Sequence, residues 1–193
     1  MRWSVHFLAV LLAAALDAGL GGLFTIGDFR ASILPAVVVF VCLSAPKRIA
    51  LRAAMAGGLA ADLFSPTILA DGSTLVVPGP WTLAFALGAS AVLPLRGLLY
   101  RQNPVSNGAA VVVFSAFASL GWISVAIVRS AAIDAPVPWW PASSLSELLV
   151  QLLNAVADGV LALPVFWMLV RTKPIWGFET KTKLTPGVAR EGL

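Results

Sequence analysis

Three carboxylates stand inside apolar runs of this chain, Asp17, Asp62 and Asp158. An ionisable side chain at membrane depth is costly to bury and marks a functional or partner-binding position by default. Around Asp158 the polar residues are ordered: Glu147, Gln151, Asn154 and Asp158 follow at offsets of 0, 4, 7 and 11. At about 100° per residue these fall within a narrow arc of one helix face. Such a stripe must face protein or water. It is then either an interhelical hydrogen-bond seam, worth about 0.6 kcal/mol per contact, or the lining of a cavity or partner groove. Three carboxylates could also hold a cation or relay protons, although no spacing demands it.

Other chemistry finds little support. The only histidine, His6, precedes Asp17 by about three helical turns, and no Ser-His-Asp or Cys-His set can be placed. His6 reads as an interfacial side chain. The single cysteine, Cys42, lies within an apolar block and reads as a small buried hydrophobe, with no disulfide or thiolate metal site possible in the chain. No phosphate loop of the Gly-rich, Lys-containing type occurs. The sequence therefore predicts no enzyme, no cofactor and no metal site.

The elements that would position these residues are membrane helices. Of 193 residues, 59% are hydrophobic and 11% charged, and the mean hydropathy is +0.91. Soluble domains carry about 25% charged residues, so the charge here is too sparse to cover a water-soluble globule. Apolar blocks predict six spans, at 3–24, 29–45, 49–65, 81–99, 105–128 and 145–170. Most approach the roughly 20 residues that cross a hydrocarbon core. The second is short. The expected fold is an all-α, polytopic six-helix transmembrane bundle over residues 1–171, followed by a basic, disordered tail at 172–193.

The breaks between spans are turn-like. Residues 25–30 form a tight turn, Pro46-Lys47-Arg48 a basic one, and 66–80 a loop rich in Gly and Pro. Pro104 suits a helix start. Trp3, Trp81, Trp139, Trp140, Trp167 and Trp176 near span ends fit an interfacial belt. With both termini in the cytoplasm, Arg2, Lys47, Arg48, Arg52, Arg96, Arg101, Arg171, Lys173, Lys181, Lys183 and Arg190 fall inside, and only Arg30 and Arg129 outside. That asymmetry obeys the positive-inside rule. The same scatter of basic residues, singly or in pairs, excludes a nucleic-acid face. Arg2, the apolar run and its Ala-rich end also have the layout of a signal peptide. The apolar stretch continues past Asp17, which favours a retained span.

Small residues recur at helix-packing spacing: Ala14, Ala18 and Gly22; Gly57 and Ala61; Ala84 and Gly88. Such spacing lets backbones approach closely, which would bury Asp17 and Asp62 between helices. Pro35, Pro94 and Pro164 fall in or near spans and would adjust helix shape.

The stretch Ala56-Gly57-Gly58-Leu59-Ala60-Ala61-Asp62-Leu63-Phe64-Ser65-Pro66 resembles the rod shape-determining protein MreD family, which has a small-residue helix ending in Gly-Leu-x-x-Asp-Leu-x-Ser before a Gly/Pro turn. Asn154, followed by an apolar run and Leu163-Pro164-Val165-Phe166-Trp167, is similar to that family's last span, and Pro35 to the proline opening its second. Two departures stand out: the turn after the Asp62 motif is longer here, and Ala36 replaces an acidic residue common in the family. The resemblance implies a scaffold in the bacterial inner (cytoplasmic) membrane that supports peptidoglycan synthesis and cell shape. Its implied partners are an MreC-like bitopic membrane protein, the MreB cytoskeleton, wall-synthesis enzymes and the lipid bilayer. Asp17, Gly57, Gly58, Asp62, Gln151, Asn154, Asp158 and Pro164 are the candidate structural or partner-binding residues. The alternative is the substrate-capturing subunit of an energy-coupling factor type transporter, to which the family's helix arrangement is similar. A solute pocket should draw polar groups from several spans, whereas the richest set in the sequence lies on one.

Overall fold

The computed structural model describes residues 1–20, 25–26, 29–64, 67–68, 74–75, 78–97, 103–133 and 143–178. The described residues include six α-helices: α1 (Trp3–Leu20), α2 (Leu34–Ser44), α3 (Lys47–Phe64), α4 (Pro80–Leu95), α5 (Pro104–Ile133) and α6 (Ser144–Arg171). Two antiparallel ladders of two residues a side join helices, β1 (Thr25–Ile26) with β2 (Phe29–Arg30) and β3 (Thr67–Ile68) with β4 (Thr74–Leu75). The Trp139-Trp140 pair, the Arg101-Gln102 turn and much of the 66–80 loop lie outside the described residues.

Helix ends follow local chemistry. Asn103 caps α5, its side-chain oxygen accepting from Val105 N–H at 2.9 Å with Pro104 between them. Ser143 caps α6 by accepting from Ser146 N–H at 3.1 Å. Pro35 and Pro80 sit in the first turns of α2 and α4, where a missing N–H costs nothing. Arg96 donates to the Leu43 carbonyl at the end of α2, at 3.1 Å.

The helices form an incomplete ring around α2. In chain order α3, α4, α5 and α6 each pack on the next, α1 packs on α3, and α2 touches all five others. No extended contact joins α1 to α6 among the described residues; residues 30–33 bridge that opening. Every residue of α2 from Leu34 to Leu43 is buried, as a helix apolar on all sides must be. It is also only 11 residues long, about 16 Å at 1.5 Å per residue. The sequence extended it to residue 29, but 29–33 are not helical and put their N–H groups to other use.

Polarity runs from inside to outside. His6, Asp62, Asn107, Ser115, Ser119 and Asp158 are buried, while Leu8, Val128, Val160, Trp167 and Met168 are each at least 60% exposed. A soluble protein seldom leaves so much apolar surface open. Two helical stretches, Val105–Ala132 and Ser144–Arg171, are long and apolar enough to cross a membrane by length and composition.

The chain stays packed past Arg171. A 3-10 helix (Lys173–Trp176) returns the backbone to α1, where Arg2 N–H donates to the Trp176 carbonyl at 2.8 Å. Trp176 is 2% exposed and stacks on Phe178 at 5.8 Å. The start of the expected disordered tail is therefore part of the bundle, because Trp176 finds an apolar slot beside His6 and Phe40. Residues 179–193 lie outside the described residues.

Candidate functional site

Asp62 sits in the last turn of α3, beside the start of α4. A helix N-terminus presents N–H groups with no partner in the helix and a partial positive charge. Asp62 supplies the acceptors. Its Oδ2 accepts from Gly79 N–H at 2.8 Å, from Thr82 N–H at 3.2 Å and from the Thr82 hydroxyl at 2.9 Å, while Oδ1 accepts from Trp81 N–H at 2.9 Å. Gly79 adopts φ +127°, a backbone that side-chain-bearing residues rarely take, and this turns its N–H to the carboxylate. Gly58, one turn back, faces the Trp81 backbone so closely that a Cβ would overlap the carbonyl. Gly57 faces α2, where a Cβ would lie 2.6 Å from Val38 Cγ2.

Asp17 does the same for α2. Its Oδ1 accepts from Ile33 N–H at 2.8 Å, and its Oδ2 accepts from Leu34 N–H at 3.0 Å and from the Ser32 hydroxyl at 2.5 Å. The polar stripe of α6 meets the other side of the same segment. Asn154 Oδ1 accepts from Arg30 N–H at 3.0 Å, and Asp158 accepts from Ser32 N–H and the Ser115 hydroxyl, both at 2.7 Å. Gln151 donates to Glu147 at 2.8 Å along the helix. Residues 30–34 thus form a clip whose N–H groups are held by α1 on one side and α6 on the other.

The clip borders a cavity of about 300 Å³. Its lining includes Asp17 from α1, Arg30 and Ser32 from the clip, Trp81 and Phe85 from α4, Ser115 and Ser119 from α5, and Gln151, Asn154 and Asp158 from α6. Polar groups therefore converge from several elements, where the sequence showed them on one helix. Ser115 and Ser119, four apart in an apolar span, were the signal available in the sequence. Backbone donors on the clip had none. Comparison with protein families, with curated proteins and with solved structures finds no match to this chain.

The sequence-derived residues fall into two groups and two outliers. Asp17, Gln151, Asn154 and Asp158 gather at the cavity; Gly58 and Asp62 join α3 to α4. Gly57 packs against α2, and Pro164 lies exposed within a continuous α6, remote from both groups' hydrogen bonds. Of the small-residue pairs, Gly88 lies under the Phe114 carbonyl, while Ala18 is exposed at the cavity. Gly108 of α5 also lies against Gly159 of α6, which follows Ala155 by four residues, a pair with the same spacing. His6 is not interfacial but fully buried: Nε2 lies 3.2 Å from the Ala53 carbonyl, with Trp3 and Trp176 packed around the ring. Cys42 is buried as expected.

Proposed function

We propose that this chain is a multi-pass scaffold of the bacterial cytoplasmic membrane, with six spans and both termini inside, serving the cell-elongation complex and the peptidoglycan synthesis that sets cell shape. The observation that carries this reading is the architecture of the MreD-like stretch. Its Gly58 and Asp62 act together, one admitting the α4 backbone and the other capping it. The motif is thus a structural joint, which suits a protein whose task is to hold a shape against partners. Apolar outer faces supply surface for lipid and for the single transmembrane helix of an MreC-like partner. The basic residues of the 171–193 region would meet anionic lipid or the MreB cytoskeleton.

Depletion in a rod-shaped host tests the proposal. Cells should round up and lose the geometry of side-wall synthesis, and affinity purification from membranes should recover a bitopic partner. Unchanged shape on depletion sinks the scaffold reading.

The cavity favours a second reading, a solute-capturing subunit of an energy-coupling factor type transporter. Polar groups from α1, α5, α6 and the clip around an aromatic wall are what a small-molecule pocket has. Recovery of an ATPase module with its coupling subunit, in place of a bitopic protein, would select it.

A further inference from the structure

The most deeply buried side chains of the cavity with hydrogen-bonding capacity to spare are Asp158 and Ser119; the spare donors of Asn154 and Arg30 belong to less buried residues. Asp17 is engaged by two amides and a hydroxyl. Among the described residues Asp158 receives only the Ser32 N–H and the Ser115 hydroxyl, whereas a carboxylate accepts about four hydrogen bonds. One turn along from Ser115, Ser119 is 5% exposed, lines the cavity, and its hydroxyl has no partner among the described residues. The N-terminal amides of α2, which would attract an anion, are already held by Asp17. Arg30, the only cation among the described lining residues, is exposed and donates to the Asp17 carbonyl at 2.5 Å. An anionic ligand therefore meets carboxylates with no cation deep in the site to balance it.

Part of the lining is aromatic. Phe85 stands edge-on to Trp81 at 6.0 Å and to Phe114 at 5.1 Å, and all three line the cavity. Water could satisfy the polar groups but would gain nothing from those rings. A carboxylate and aromatic rings lining one cavity make an environment that favours an organic cation.

We infer that the cavity binds a small organic ammonium with a flat apolar body, its head at Asp158 and Ser119 and its body against Phe85, Phe114 and Trp81. This goes beyond the scaffold reading, and it rests on the solute-capture reading in taking the cavity for a ligand site. The volume suits a ligand at the small end of the usual range.

The test uses the purified full-length chain in detergent micelles, with empty micelles as the control for partitioning. Benzylammonium is compared with its neutral analogue benzyl alcohol and with benzoate, by saturation-transfer NMR and by thermal stability. The ammonium should bind saturably and at least about tenfold more tightly than either analogue. Asp158→Asn and Ser119→Val should each weaken it about tenfold or more, the worth of one hydrogen bond to a charged head. Ser119→Val guards against simple misfolding, because the Ser119 hydroxyl bonds to none of the described residues. Equal binding of alcohol or benzoate, or unchanged binding in Ser119→Val, overturns the ammonium assignment. Native mass spectrometry of the protein as purified separates this from the broader reading. A retained neutral or anionic molecule overturns the ligand class and leaves solute capture standing, whereas no retained molecule and no probe bound overturns both.

Discussion

Replacing Asp62 by Ala would leave the Gly79, Trp81 and Thr82 amides and the Thr82 hydroxyl without their acceptor, in a place where little water reaches. Loss of an ordinary N-cap costs about 0.5–2 kcal/mol, and hydrogen bonds to a charged group are stronger. Asp62→Ala should therefore destabilise the bundle by roughly 2–4 kcal/mol, read as earlier loss of helix signal during SDS titration of the protein in micelles. Asp62→Asn, which keeps one acceptor oxygen, should fall between. Gly58→Val should approach the Asp62→Ala loss by another route, because its Cβ overlaps the Trp81 carbonyl. Wild-type stability in Gly58→Val would mean that α3 and α4 are not in contact there. At this scale the sequence made the acidic residues conspicuous, since a charge in an apolar run stands out. Their partners were hidden because backbone amides leave no mark in a sequence. Ser119 was legible only as one small polar residue among several.

Two helical hairpins share one plan. α1 and α3 are each 18 residues long and carry an aspartate near the C-terminal end. Each is followed by a two-residue ladder and then by a shorter helix with Pro in its first turn, whose leading amides the aspartate holds. The plan makes separable predictions. Asp17→Ala should speed amide exchange at Ile33 and Leu34 while leaving Trp81 and Thr82 protected, and Asp62→Ala should do the reverse. Because the two caps share no partner, their stability losses should add to within about 0.5 kcal/mol. The 3-10 helix offers a third case. Trp176→Ala empties the slot under α1 and should cost about 3–5 kcal/mol, read in the same SDS titration. The helices were readable from apolar blocks, but the plan was not. The start of α2 depends on where a carboxylate from another helix sits, and the Trp176 slot on three separate elements.

At the scale of the whole molecule, orientation is the property that every partner hypothesis requires, and the charge asymmetry makes it testable. The single cysteine is buried in α2, so the wild-type protein should resist maleimide until denatured and give a silent background. Lys47 at the start of α3 and Ser143 before α6 are both exposed, and in the proposed orientation the eleven-to-two distribution of basic residues would put them on opposite sides. Ser143→Cys should react with an impermeant maleimide in intact spheroplasts, and Lys47→Cys only after permeabilisation. The reverse pattern would invert the bundle, placing the basic C-terminal region outside and away from any cytoskeleton. Ser32→Cys then asks about depth. At about 16 Å, α2 cannot cross a hydrocarbon core of about 30 Å, so in the proposed orientation, with Ser44 near the cytoplasmic side, its first turn would lie well inside the bilayer. Ser32 nevertheless lines the cavity. If that cavity is open to water, Ser32→Cys reacts with the impermeant reagent in spheroplasts despite its depth, and more slowly than Ser143→Cys. If it is sealed, Ser32→Cys stays silent like Cys42, and a ligand could reach Asp158 only after residues 30–33 release α1 or α6.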